Sequence, residues 1–168
     1  EINLDYTNPK IQKLFDFQDQ RNVDSLLTYI VQDNDTYQYL CARAFTAIQD
    51  DRAKPALIKL LNDSNDKVAK AAIYALSQFQ TQDVVPHLQK AYDPYDSLLL
   101  KGEINGAILS AIGKCGDLAD LKNLTSISNF TKYDTVLING QLESIYRFNL
   151  RKINSKAGSS VMSKALLN

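Results

Sequence analysis

The chain has 168 residues with 19 basic and 19 acidic side chains, 45% apolar residues, no Trp, one Met, one His and two Cys. That balance excludes disordered and fibrous chains, and two Cys exclude a disulfide framework, so a packed core must hold the fold. No apolar run approaches the about 18 residues of a membrane span, and zero net charge removes any blanket attraction to nucleic acid or anionic membranes.

The chain opens at Glu1 with neither Met nor a charged-then-apolar leader, which predicts a processed or truncated product. Residues 9–19 read as a leading helix with Pro9 in its first turn and Ile11, Leu14, Phe15 and Phe17 on its buried side. Internal repetition follows. Residues 26–35 overlay residues 57–66 at an offset of 31, the match continues from Thr36 onto Lys67, and Pro86 and Leu88 stand 31 after Pro55 and Leu57. Each unit reads as two helices joined by a tight turn. In the first unit (about 21–49), Tyr37, Leu40, Cys41, Ala44, Phe45 and Ile48 draw one stripe along the second helix. In the second (about 50–80), Val68, Ala71, Ala72, Ala75, Leu76 and Phe79 repeat it, with small residues that let helices approach. The turns at 32–35 and 63–66 carry Asp and Asn, which favour helix N-caps.

A third unit (about 81–116) carries about five inserted residues between Asp93 and Leu100, because residues 111–116 align with 75–80 at an offset of 36. A fourth (about 117–153) has helices over 117–128 and roughly 133–153. Residues 156–160 read as a turn and 161–167 as the start of a further apolar-faced helix, a partial unit (156–168). A single array of four to five helix pairs is expected, ending as a fragment of a longer one, unless the last helix folds back on the fourth unit or a second copy covers it. Sustained strand alternation is absent, so the fold class is all-α, an α-solenoid.

Pro55 and Pro86 in the first helices, Asp63 after them, and Val68 three residues before Ala71-Ala72 resemble the recurring positions of HEAT repeats, with Ala69 where a basic residue is usual. More closely, residues 18–22, 44–50, 72–78, 111–116 and 145–148 resemble, in order and spacing, the N-terminal repeat region of large cyclophilin-linked peptidyl-prolyl isomerases of Bacteroidetes-type bacteria. Ser77 stands where that family has Gly. The resemblance implies a HEAT region preceding a cyclophilin-type domain beyond Asn168, in an exported cell-envelope protein. Nothing in these residues looks like the cyclophilin barrel itself.

Chemistry of the chain's own is scarce. A lone His87 leaves no partner for a two-His zinc site or a His-Glu-x-x-His motif. Cys41 and Cys115 fall on or beside apolar stripes, where a thiol acts as a small hydrophobe. Gly102 and Gly106 lack the Gly-Lys-Ser/Thr of a phosphate loop and read as close helix packing. Asp33, Asp35, Asp63, Asp66, Asp93 and Asp96 suit turns and caps, without the ligand order of a calcium loop. After Glu143 only Arg147, Arg151, Lys152, Lys156 and Lys164 are charged, a solvated basic face or a phosphate-contacting patch.

What remains is surface. In a solenoid the second helices line the concave side, which puts Tyr39, Arg43, Lys70, Tyr74 and Gln78, then Lys114, Glu143 and Arg147, beside the stripes and toward the groove. Tyr with Arg and Lys is the chemistry of protein-binding hot spots. The residues therefore predict a non-catalytic scaffold with no cofactor or metal, binding a protein, a peptide or a linked cyclophilin-type domain, and not nucleic acid. The alternative is a HEAT-like enzyme that excises alkylated bases from DNA or attaches bilins; the first would need stacking aromatics in a basic groove.

Overall fold

Amide side chains start the helices of the first half. In this computed structural model, which describes residues 2–93, 102–127 and 135–166, Asn8, Asn22, Asn34 and Asn65 each accept a backbone N–H of the following turn, from Lys10, Ser25, Tyr37 and Lys67. These caps open α1 (Pro9–Asp19), α2 (Val23–Ile30), α3 (Asp35–Ile48) and α5 (Asp66–Gln78). Asn34 and Asn65 stand 31 residues apart, so the same capping chemistry starts the second helix of both units. The intervening α4 (Lys54–Lys59) has no side-chain cap. It grows from a 3-10 turn, Asp51–Ala53, carries Pro55 in its first turn, and ends in another, Leu60–Asn62. Its counterpart α6 (Val85–Ala91) follows the 3-10 turn Gln82–Val84 with Pro86 in the same place. Gln49 and Gln80, again 31 apart, have left-handed backbones (φ 53° and 54°) that turn the chain out of the preceding helices.

The remaining helices are α7 (Gly102–Cys115), α8 (Leu118–Thr125), α9 (Thr135–Leu150) and α10 (Lys156–Leu166). The described residues contain no strand, and the fold is an all-α solenoid type built of helix pairs. The expected insertion lies, past Asp93, outside the described residues, as does Asp96.

The chain separates into two compact units, residues 1–79 and 80–168. In the first, α3 packs against α1, α2 and α5. Leu40, Cys41, Ala44, Phe45 and Ile48 of α3, and Val68, Ala72, Ala75 and Leu76 of α5, are buried as their spacing predicts. The buried arcs are wider than the stripes: Ala42 and Ile73, at equivalent positions of the two units, are also enclosed. Phe15, Phe17 and Tyr37, expected in the core, are only half-buried. They belong instead to ring contacts along α1–α3, with Phe15 stacked on Tyr6 at 5.8 Å, Phe17 tilted onto Tyr29 at 6.0 Å, and Tyr29 edge-on to Tyr37 at 5.5 Å. Phe79 is half-buried as well, with the Lys54 ammonium 4.9 Å from its ring centre.

In the second unit α7 and α9 cross closely because each lacks side chains at the contact. A methyl built on Gly140 would lie 2.5 Å from the Gly106 carbonyl oxygen, and one on Gly113 would lie 2.5 Å from Ser144 Cα. Chain ends here are closed by buried polar groups. Asn105 exchanges two hydrogen bonds with the backbone of Asp93 (3.0 and 2.9 Å), and Gln141 donates to the carbonyls of Leu124 and Ile127 at 2.9 and 3.0 Å. Asp117 and Asp120 form a reciprocal capping box on α8.

The last helix corrects the sequence reading. Residues 156–160 are helical, not a turn: Ser155 Oγ accepts the Gly158 N–H at 3.0 Å as a cap would, and Gly158 is buried against Ile145. α10 then packs on α8 and α9, folding back on the fourth helix pair.

Candidate functional site

The packing of α3 on α5 decides what lies beside their buried stripes. Tyr39 and Arg43 are four residues apart on α3, and Lys67, Lys70, Ala71 and Tyr74 follow helical spacing on α5. With Thr46 they line a groove of about 530 Å³. That is within the usual size range of ligand sites.

Arg43 is held by its own helix. One of its N–H groups donates to the Tyr39 hydroxyl at 3.1 Å, and its guanidinium carbon lies 5.7 Å from the Tyr39 ring centre. The Tyr39 hydroxyl raises the Arg43 pKa above its ordinary value, so the charge is permanent. Thr46 Oγ1 donates to the Arg43 carbonyl at 2.7 Å. Tyr74 is 56% exposed on the groove wall. Three cations line this groove and no carboxylate does. The surrounding unit, residues 1–79, carries 9 basic against 11 acidic side chains, a net −2, so the groove is a local inversion of its charge.

A second cluster forms between α7 and α9. Glu143 accepts hydrogen bonds from Arg147, one turn along α9, and from Ser110 on α7. Burial pushes the Glu143 carboxyl up, but those bonds outweigh it and the group stays below its ordinary value. Lys114 faces the same cluster; burial, then the Arg147 charge, lower its pKa.

Of the residues expected on a binding face, Tyr39, Arg43, Lys70 and Tyr74 therefore share one groove in the first unit. Gln78 is on α5 but outside the lining, its amide donating to Ser77 Oγ at 3.2 Å and toward the Tyr74 carbonyl at 3.4 Å. Lys114 and Arg147 meet each other and Glu143 in the second unit. Sequence reading missed Lys67 and Thr46, although helical spacing from Lys70 and Arg43 pointed to both, and it assigned Ala71 to the stripe when the side chain is half-buried at the groove.

The basic C-terminal run is not one surface. Arg151 donates to the carbonyls of Gly113 and Gly116 at 3.1 and 2.7 Å, closing the end of α7. Arg147 is paired with Glu143. Cys41 and Cys115 are buried, and desolvation pushes their thiols up to about 12 and about 11, far from nucleophilic range. His87 is exposed on α6. A further groove of about 250 Å³ lies on α6, α7 and α8, walled by Leu109, Ile112, Leu124 and Ile127. Its one acid, Asp120, accepts the amides of Gln82 and Gln89, each at 2.7 Å. Among the described residues no group of three or more His, Cys, Asp or Glu could hold a metal, and no helix is long and apolar enough to cross a membrane.

With this geometry in view, the comparisons with known proteins fit. Residues 23–103 match the family model for HEAT repeats, from the first residue of α2 into the start of α7. The matched stretch contains the whole α3/α5 groove. No curated protein matches the chain.

Proposed function

We propose that the chain is a non-catalytic HEAT-repeat scaffold that binds protein through the face formed by α3 and α5. The observation that carries this reading is the groove of Tyr39, Arg43, Lys67, Lys70 and Tyr74. Aromatic and multidentate cationic side chains concentrate binding energy at protein interfaces, and here they stand together on a rigid pair of helices. HEAT repeats present such helices side by side along an inner wall, and we take Lys114 and Arg147 as the corresponding residues of the later repeats.

A finer reading rests on the five stretches that resemble the repeat region of cyclophilin-linked isomerases. On that reading the 168 residues form one array within a larger peptidyl-prolyl isomerase-like protein of the cell envelope, and the groove docks either a partner or the linked catalytic domain. A coding sequence that runs past Asn168 into a cyclophilin-type domain supports it; an unrelated domain there removes it.

The binding reading is tested by photo-crosslinking from position 74 and, as a control, from Gln12 on α1. Binding of the crosslinked protein, purified, is then measured with the Tyr39→Ala/Arg43→Ala/Tyr74→Ala variant. Crosslinks specific to position 74, and binding lost in the triple variant at unchanged helical content, are expected. Equal binding by the variant refutes the assignment of this face.

A further inference from the structure

The groove on α6, α7 and α8 holds a buried acid whose hydrogen-bond partners are all neutral. Asp120, in the first turn of α8, is 7% exposed and lines that space of about 250 Å³ together with Leu109, Ile112, Leu124 and Ile127. Its Oδ2 accepts the Gln82 amide at 2.7 Å and the Asp117 backbone N–H at 2.9 Å, while Oδ1 accepts the Gln89 amide alone, at 2.7 Å. A carboxylate offers about four lone-pair positions, two on each oxygen, so Oδ1 keeps one more. These donors and the α8 N-terminus supply partial charge only. A net negative charge therefore stays among aliphatic side chains, the surroundings in which an unanswered charge costs most. No cation is among the described residues that line the groove.

We propose that this groove takes the side chain of a lysine presented by a protein partner, its ammonium on Asp120 Oδ1 and its methylenes along Leu124 and Ile127. The order of groups fits such an occupant. Asp120, Leu124 and Ile127 follow at i, i+4 and i+7, acid first and apolar after, with one turn of about 6 Å between the first two. Leu109 and Ile112, three apart on α7, complete the apolar lining. The α8 side is already fixed, because Gln141 holds the Leu124 and Ile127 carbonyls at 2.9 and 3.0 Å, so little is left to order when a ligand enters. Lysine suits the acid better than arginine does. With Oδ2 occupied twice, a bidentate guanidinium has to displace an amide, whereas an ammonium is a point charge that needs one acceptor. The space is smaller than the roughly 300–1,000 Å³ of sites that enclose a whole small molecule, which points to one side chain. Gln89 and Asn123, both exposed and lining the groove, offer amides to the backbone that carries it. The site lies in residues 80–168 and does not depend on the α3/α5 face.

The test is an NMR titration of the full, isotope-labelled chain with acetyl-Ala-Ala-Lys-Ala-Ala-amide, the same peptide with norleucine, Arg or Glu in place of Lys, and n-butylamine. The lysine peptide is expected to shift the Gln82 and Gln89 side-chain amides and the Ile112 and Leu124 methyl groups. It should bind at least about 10-fold more tightly than the norleucine peptide and weaken as salt rises, and the Glu peptide should not bind. Asp120→Asn should remove the margin over norleucine. Because Asp120 also caps α8, Asn123→Lys is the second variant: its exposed side chain, three residues from Asp120, supplies a competing ammonium and should weaken the lysine peptide at least about 10-fold at unchanged circular dichroism. Equal binding of norleucine would make the groove a purely apolar slot, and tighter binding of the Arg peptide would defeat the single-acceptor argument. Binding of n-butylamine as tight as that of the peptide would assign the site to a free amine. No shift with any probe, or shifts at Tyr39 and Tyr74 instead, would leave Asp120 a packing residue. Each of these four results overturns the proposal.

Discussion

The crossing of α7 over α9 makes a sharp demand on one residue. At Gly140 the neighbour is backbone: a methyl would lie 2.5 Å from Gly106 O, 2.7 Å from Gly106 Cα and 2.9 Å from the Gly106 carbonyl carbon. Carbon atoms rest at about 3.5–4.0 Å, so Gly140→Ala must part the helices by about 1 Å, and a gap of that size forfeits roughly a quarter to a half of the dispersion attraction across it. Both helices carry large buried side chains, Ile108 and Ile112 on α7 and Ile145 and Phe148 on α9. Overpacking of this kind costs about 1–3 kcal/mol and sometimes more. Ala is a better helix former than Gly by about 1 kcal/mol, and that gain only partly offsets the loss. We expect Gly140→Ala to destabilise the chain by about 2 kcal/mol, read as a lower midpoint in urea denaturation followed by far-UV circular dichroism. Gly158→Ala is the control. There the nearest atoms are Ile145 Cγ2 at 3.3 Å and Ser155 Oγ at 3.4 Å, side-chain ends that can yield by a few tenths of an ångström. Its helix-propensity gain should leave stability unchanged or raised. Equal stability of Gly140→Ala and the parent would refute the close crossing.

Leu76, fully buried on α5, fixes the register of the second repeat. Leu76→Asp places an unpaired charge there and should cost more than about 4 kcal/mol, so a thermal midpoint close to the parent's would contradict the stripe. Neither Cys41 nor Cys115 should react with a thiol reagent until the chain unfolds. The raised native pKa of Cys41 stabilises the fold below the ordinary thiol value of 9.0, and that contribution is lost as pH rises from there toward about 12. Wild type should therefore lose its stability advantage over Cys41→Ala across this range, and an unchanged difference would show the thiol is not shielded. Arg151→Lys keeps the charge but cannot reach the Gly113 and Gly116 carbonyls as a fork; a loss of about 1 kcal/mol in urea is expected, and none would mean those carbonyls need no cap.

The repeat was legible because buried stripes repeat their chemistry. Phe45 and Leu76, Ala44 and Ala75, Cys41 and Ala72 hold the same burial at an offset of 31, so an alignment of the chain with itself finds them. The N-caps were legible for the same reason, since Asn34 and Asn65 do one local job each. What could not be read depended on partners distant in sequence. Residues 156–160 carry Gly and two Ser, which favour turns by propensity, and they are helical where Ser155 caps them and Gly158 packs on Ile145. The close crossing needed Gly140 and Ser144 opposite Gly106 and Gly113, and a glycine pair on one helix names no partner. Arg151 read as part of a basic face because the α7 carbonyls it caps are more than thirty residues away.

The candidate site divides along the same line. Tyr39 and Arg43, one turn apart on α3, are a local pair, and so are Lys70 and Tyr74 on α5; their meeting follows once the stripes are paired. Lys114 and Arg147 were chosen by the same rule and have a different fate, because Glu143 comes with them. One carboxylate, bonded to Arg147 and Ser110, offsets one of the two cationic charges there and ties α9 to α7. In the α3/α5 groove Arg43 bonds the Tyr39 hydroxyl instead. Equivalent helical positions thus pair an arginine with an acid in one unit and with a phenol in the other. The difference lies in which side chain sits four residues before the arginine: Glu143 before Arg147, Tyr39 before Arg43. A tyrosine there holds the guanidinium in place through one N–H and its ring, and adds no negative charge of its own.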